Sequence, residues 1–234
     1  MLVKITTQCQ MGCTHCMENA EPQGEHMSLD IFKKVQSFIT KVYGGLNLIM
    51  LSGGEPTEHP EILKILEQIK GWRTILLSNG LFMSDKIAED ILKSGVMIQV
   101  YNDPRYYPKK ILINHPRVLF FDKINMITPF GRARTNKIPT EKVSPSCFNL
   151  RSCVRYTRDF QKGLIILRTK KKLCTPSIDI YGNILAGESR ECHKIGTVES
   201  SFTEIRDNLL TMKCNKCGLE DKLNSEQKEA IYNF

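Results

Sequence analysis

Across the first hundred residues, short apolar runs alternate with segments of helical periodicity, and this alternation restricts the fold more than any other feature. Residues 2–7, 46–51, 74–77 and 96–101 read as strands. Ser28 can cap a helix running to Tyr43, whose apolar positions Leu29, Phe32, Val35, Phe38, Ile39 and Val42 repeat at helical spacing. Gly44 and Gly45 stop it. Residues 59–70 place Ile62, Ile65, Leu66 and Ile69 on one helical face before Gly71, and residues 84–94 form a third helix closed by Gly95. Short strand–helix–strand connections build a parallel sheet whose helices cross over outside it. The expected fold class is α/β.

Past residue 102 the pattern loosens. Residues 118–121 and 125–128 are strand candidates, and 129–146 mix Pro, Gly and basic groups as a loop or linker. Residues 177–180 and 184–186 read as a hairpin about Tyr181, Gly182 and Asn183. Residues 201–212 form a helix, with Ser201 and Glu204 as a capping box, and 224–232 form a terminal helix. A chain of 234 residues holds one sizeable core with a small appended module. The expected division is 1–145 and 146–234.

No apolar run approaches the roughly 20 residues that cross a bilayer, and the start lacks the layout of a signal peptide. A soluble, cytoplasmic protein with no membrane partner is expected. Ordinary apolar content, 41%, excludes a disordered chain. The net charge of +8 is unevenly placed, because residues 101–172 hold seventeen basic and four acidic groups. Such a stretch either meets an anionic partner, nucleic acid or an anionic small molecule, or is a solvated surface.

Nine cysteines, an odd and clustered set, argue for metal or redox chemistry rather than a disulfide framework. Cys9, Cys13 and Cys16 follow the first strand with the spacing CxxxCxxC. Three soft thiolates can wrap one metal centre, and three rather than four leave a coordination position open. A zinc knuckle completed by His15 or a distant cysteine is the competing reading.

This spacing, in a loop after the first strand, resembles the signature of the radical SAM superfamily. Ser52-Gly53-Gly54-Glu55-Pro56 after the second strand looks like that family's GGEP motif, and Leu77-Ser78-Asn79-Gly80 after the third is also similar to family members. The resemblance covers roughly residues 1–130 and implies a partial (β/α)6 barrel. It implies a 4Fe–4S cluster held by Cys9, Cys13 and Cys16, whose free iron chelates S-adenosylmethionine. One electron, from a reductant such as flavodoxin or ferredoxin, then yields a 5′-deoxyadenosyl radical that removes hydrogen from substrate. Gly53 and Gly54 would let the backbone approach the methionyl group, or else make a tight turn, and Glu55 would accept from its ammonium. His15 stands where family members place an aromatic residue against the adenine. Ser78 and Asn79 are candidates for the ribose or methionyl carboxylate.

Cys174 and Cys192, with Gly187 between them, precede a CxxC at Cys214 and Cys217. The pattern resembles the twitch module, the shorter relative of the SPASM extension, and implies one auxiliary 4Fe–4S cluster. Its spacing is close to that of a radical SAM alcohol oxidase, 2-deoxy-scyllo-inosamine dehydrogenase; zinc is again the competing reading. Cys147 and Cys153 are left over and read as buried small hydrophobes.

Three basic groupings lie between the two cysteine sets: Arg132, Arg134 and Lys137; Arg151, Arg155 and Arg158; and Arg168 with Lys170, Lys171 and Lys172. Arg132, in a Gly-Arg-Ala stretch like that of SPASM and twitch relatives, is the candidate for binding a substrate anion. Tyr106, Tyr107, Phe148, Tyr156 and Phe160 interleave with the charges, a mixture that suits stacking on bases. The substrate is therefore a nucleotide or other small metabolite, or a modified base within nucleic acid. Peptide modification is less favoured because no leader-binding domain precedes Cys9, and an activase role is a third possibility. A zinc-stabilised nucleic-acid-binding protein is the alternative outside enzymes.

Overall fold

A computed structural model describes residues 1–45, 47–81, 85–101, 103–105, 107, 115–124, 127–139, 146–169, 176–213 and 225. Strands β1 (Leu2–Thr6), β2 (Leu48–Gly53), β3 (Arg73–Ser78), β4 (Met97–Tyr101) and β5 (Val118–Phe121) alternate with helices α1 (Leu29–Tyr43), α2 (Ile62–Gln68) and α3 (Asp85–Lys93). Helices α4 (Gly131–Thr135), α5 (Ser146–Thr157) and α6 (Phe160–Thr169) follow, then β6 (Ser177–Ile178), β7 (Asn183–Leu185), β8 (Lys194–Thr197) and α7 (Phe202–Thr211). All eight strands join one sheet in the order β5-β4-β3-β2-β1-β6-β7-β8. Strands β5 through β6 pair in parallel, and β6, β7 and β8 pair antiparallel. The expected α/β class is therefore borne out, with a largely parallel sheet.

Local signals set the helix ends. Ser28 accepts from the Ile31 N–H at the start of α1, and Gly44, at φ 58°, closes it with an N–H to the Thr40 carbonyl. Ser201 caps α7 in the same way through the Glu204 N–H. The α2 helix starts later than its periodicity predicts. Glu55 instead caps a 3₁₀ turn at Pro56–Glu58, and His59 Nδ1 accepts from the Glu61 N–H at 3.0 Å. Strand β2 runs two residues further than expected because Gly53 pairs with Thr6.

Beyond the parallel strands the expectations are met in part. The hairpin forms, its turn held by Asp179, whose Oδ1 accepts from the N–H groups of Tyr181 and Asn183. Residues 131–135 are helical rather than loop, because Gly131 at φ 54° aims that turn at the first cysteine loop. Helices α5 and α6 and strand β8 have no counterpart in the sequence reading. Ile127 and Thr128 lie outside any strand. Residues 125–126 and the terminal helix expected over 224–232, apart from a helical Ser225, lie outside the described residues.

One apolar core runs through the chain. Val3 and Ile5 of β1 meet Phe32, Val35 and Phe38 of α1, and the same cluster takes in Leu150, Val154, Phe160 and Leu164 with Ile178, Ile195, Ile205 and Leu209. Cys153 lies in this core and Cys147 packs against it. Alternate residues of β1, Lys4 and Thr6, face away from α1, toward the loops at the strand ends. Phe32 is fully buried, so Phe32→Ala should lower stability by about 3–5 kcal/mol, read from the denaturant midpoint.

Candidate functional site

The three motifs sit at the ends of adjacent parallel strands, and a buried carboxylate ties them together. Glu55 is wholly buried. Its Oε1 accepts from the Thr57 N–H at 3.1 Å, the Thr57 hydroxyl at 2.7 Å and the Ser78 hydroxyl at 2.8 Å. Its Oε2 accepts from the Asn79 N–H at 2.7 Å. Burial raises the Glu55 pKa, and the four donors oppose that shift. Among the described residues Oε2 takes a single bond and keeps acceptor capacity for one further donor.

Asn79 carries the arrangement on to the cysteines, donating from Nδ2 to Cys9 Sγ at 3.5 Å, and the Met11 N–H donates to the same sulfur at 3.5 Å. Cys9, Met11 and Ala20 form a small buried cluster with Cys13, Cys16, Leu81 and Tyr107 against it. Burial pushes the Cys9 thiol up to about 11, and Cys16 and Glu55 add to the rise. Burial and the other two cysteines push Cys13 up to about 12, with Arg132 opposing. Three thiols whose anions repel one another, with N–H donors aimed at a sulfur, fit a positively charged iron–sulfur centre that would take them all as thiolates. Among the described residues no three His, Cys, Asp or Glu side chains converge on a single-ion site. A polynuclear cluster takes its thiolates on different irons and does not require them to meet at one point.

The glycines of the second motif serve a close approach of backbones. A Cβ on Gly53 would lie 2.1 Å from the Thr6 carbonyl oxygen, and one on Gly54 2.0 Å from that of Gln8. The Gly54 N–H donates to Thr6 and the Glu55 N–H to Gln8, at 2.8 and 2.7 Å. Glu58 completes the seam by accepting from the Gln10 N–H and the Gln8 amide. His15 packs edge to face on Tyr107, ring centroids 5.3 Å apart, and burial lowers its pKa to about 4, so it is neutral near pH 7.

Arg132 lies against the cysteine loop. Its Nε donates to the Cys13 carbonyl at 2.8 Å, its Nη1 to that of Ala20 at 2.9 Å, and its backbone N–H to that of Cys16 at 2.9 Å. A Cβ on Gly131 would lie 2.5 Å from the Cys16 carbonyl oxygen, which explains the glycine before this arginine. Asn136 reaches the Thr14 carbonyl. A second set of residues holds the 189–192 turn to the same loop: Ser189 donates to the Met17 carbonyl, Arg190 to that of Glu18, and Glu191 accepts from the Gly131 N–H and pairs with Arg134. Beneath them Lys4 and Glu18 form a buried ion pair at 2.9 Å. None of Glu58, Asn136, Ser189 or Glu191 stands out in the sequence, and Tyr107 reads there as a base-stacking aromatic rather than as a partner of the cysteine cluster.

Of the second cysteine set, Cys174, Cys214 and Cys217 lie outside the described residues. Cys192 ends the turn just described, and a Cβ on Gly187 would stand 2.7 Å from its sulfur. That contact accounts for a glycine between Cys174 and Cys192.

Residues 3–112 match the model of the Radical SAM superfamily, so the chain carries a radical SAM domain over that stretch. It is 27% identical over 100 residues to the tungsten-containing aldehyde ferredoxin oxidoreductase cofactor-modifying protein of Pyrococcus furiosus, over 41% of this chain and 28% of the relative. It is 32% identical over 99 residues to the probable GTP 3′,8-cyclase of Methanococcus vannielii, over 40% and 32%. The chain thus spans under a third of the length of these curated relatives. The structure resembles that of BtrN in complex with AdoMet and 2-DOIA, with a TM-score of 0.60 and 14% identity over 99% of this chain and 90% of that one. It also resembles anSMEcpe with bound AdoMet and Cp18Cys peptide, with a TM-score of 0.54, 13% identity and coverage of 99% and 87%. At these identities the two likenesses show the fold alone. No helix among the described residues is long and apolar enough to cross a membrane.

Glu55→Gln would turn an amide NH2 toward an N–H or O–H donor, so it should lower unfolding stability by about 1–3 kcal/mol, read by thermal denaturation. A second prediction concerns pH. Burial raises Glu188 to about 7 against the opposing charge of Lys4. The folded state then holds this proton more tightly than the unfolded one, so its contribution is complete below the ordinary carboxylate range and is lost as pH rises through about 7. The stability difference between the protein and Glu188→Gln should change over that window.

Proposed function

We propose that the chain is a radical SAM enzyme acting on an anionic substrate. Supporting observations converge on Glu55: a single buried carboxylate binds the residues after β3, lies in the motif after β2, and reaches Cys9 through Asn79. Cys9, Cys13 and Cys16 would hold a 4Fe–4S cluster beside S-adenosylmethionine. Bound there, the pair would supply radical chemistry for removing a hydrogen atom from substrate. The chain's own residues orient and exclude water. Arg132 and Glu58 hold the cysteine loop in register, and Glu55 Oε2 would accept from the methionyl ammonium with its remaining acceptor capacity. Ser78 and Asn79 stand beside it for the ribose or methionyl carboxylate, and neutral His15 offers a face to the adenine. Electrons would come from a flavodoxin- or ferredoxin-type reductant.

In the same proposal residues 1–145 are the barrel portion and 146–234 a twitch-like module, in which Cys174, Cys192, Cys214 and Cys217 would carry an auxiliary 4Fe–4S cluster aiding electron transfer. The turn ending at Cys192 is hydrogen-bonded to residues 17 and 18 of the first cysteine loop, which supports placing the two centres in one electron path. Cys9→Ala, Cys13→Ala and Cys16→Ala together should remove about four of about eight irons per chain. The reduced, reconstituted protein should form 5′-deoxyadenosine from S-adenosylmethionine, and the triple variant should form none. Full iron in that variant, or product formation by it, would remove the assignment.

A further inference from the structure

The two faces of the parallel sheet differ in how they are covered. Leu76 of β3, Ile98 and Val100 of β4 and Val118 of β5 lie in the core that the helices share. Side chains alternate along a strand, so Leu77, Met97, Gln99, Tyr101, Leu119 and Phe121 project from the opposite face. There Met97 is 39%, Leu119 41% and Phe121 38% exposed, whereas Ile98 and Val100 are fully buried. Large apolar side chains gathered on one open face mark a binding surface.

Register sets these residues side by side. Gln99 pairs across with Leu77 on β3 and with Leu119 on β5, and Met97 and Tyr101 flank it on the same face of β4. Tyr101 pairs with Phe121, and their rings stack with centroids 5.2 Å apart at an angle of 21°. The half-buried Gln99 side chain is therefore bordered by apolar or aromatic neighbours along and across the strands, and its amide makes no hydrogen bond to any described residue. An amide offers a donor beside an acceptor, and leaving both unmet on an apolar surface is unfavourable. A ring edge with an acceptor next to a donor meets both at once, and such a ring lies flat on apolar and aromatic side chains. Nucleobases have both properties.

The open face is continuous with the candidate site. Val100 pairs with Ser78, which donates to Glu55, so Tyr101 reaches the level of Asn79 and its contact with Cys9. Leu77, opposite Gln99, precedes Asn79 by two residues, about 7 Å along the strand. Tyr101 is also close enough to act electrostatically on Tyr107, which packs on the cysteine cluster.

We infer that this face seats the base of a nucleotide, with Gln99 reading the base edge and the base ring extending the Tyr101–Phe121 stack. In taking that nucleotide as substrate, with phosphate as its negative charge, this rests on the function proposed above; the binding itself does not. Gln99 is then a specificity-determining residue and Phe121 a general one, because every base has a flat face.

The test is titration calorimetry with ATP, GTP, CTP and UTP, and with ribose 5-phosphate as the probe lacking a base, on the full chain with its clusters reconstituted. At least one triphosphate should bind about tenfold or more tighter than ribose 5-phosphate. Phe121→Ala should weaken that binding about tenfold, and Phe121→Tyr should not. Gln99→Leu should reduce the preference among the four bases about tenfold, and Gln99→Glu, which replaces the donor by an acceptor, should change which base binds most tightly. Ile165→Ala, at an exposed apolar residue of α6, is the control, and circular dichroism checks that each variant is folded. Triphosphates that bind no better than ribose 5-phosphate would overturn the inference, as would losses no larger than those of the control or a base preference that both Gln99 variants leave unchanged. Displacement of the nucleotide by S-adenosylmethionine would assign the face to that molecule's adenine and overturn it too. Binding that follows the pattern while the nucleotide leaves 5′-deoxyadenosine yield unchanged would establish the base site and separate its success from failure of the substrate reading.

Discussion

The Glu55 carboxylate is the point on which the candidate site depends. A buried carboxylate without partners would be strongly unfavourable, and here four donors from two strand ends surround it. Those bonds set the path of the chain after β2 and after β3 at once. Through Asn79 the same network touches the sulfur of Cys9, so the cysteine loop is registered against the motif that would hold its cofactor.

The loop itself is built as a seam. It makes few regular hydrogen bonds of its own, and partners from three directions supply the rest: Gly54 and Glu58 from the β2 end, Arg132 from α4, and the 189–192 turn from beyond β7. Each backbone approach is closer than a side chain allows, which is why Gly53, Gly54 and Gly131 stand where they do. The Lys4–Glu18 pair beneath this seam is nearly dry, and a buried pair of this kind fixes geometry more than it adds stability.

The strand assignment also joins what the sequence separates. Strand β6 pairs in parallel with β1 and antiparallel with β7, so it ends the parallel set and begins the hairpin. The core follows the sheet, with Leu150, Phe160 and Ile205 packed in the same cluster as Val3 and Phe32. A turn carrying Cys192 is thereby held beside the first cysteine loop by the sheet.

Features written in neighbouring residues were legible without coordinates. The strand–helix alternation, the caps at Ser28, Gly44 and Ser201, the hairpin turn and the cysteine spacing all depend on contacts within a few positions, where propensity and periodicity act. The Gly53-Gly54-Glu55 motif could be recognised, but not the reason for its glycines, because Thr6 and Gln8 are remote in sequence. The later start of α2 was hidden for the same reason, since Glu55 was drawn into a buried network. Arg132 meets Cys13 across 119 positions and Ser189 meets Met17 across 172. Contacts at that range leave no periodic trace, so only the folded sheet decided that these residues clamp the loop. The sequence alone determined which side chains are candidates for the site; tertiary structure decided what holds them, because that work falls to backbone carbonyls and single glycines whose partners appear only when distant strand ends meet.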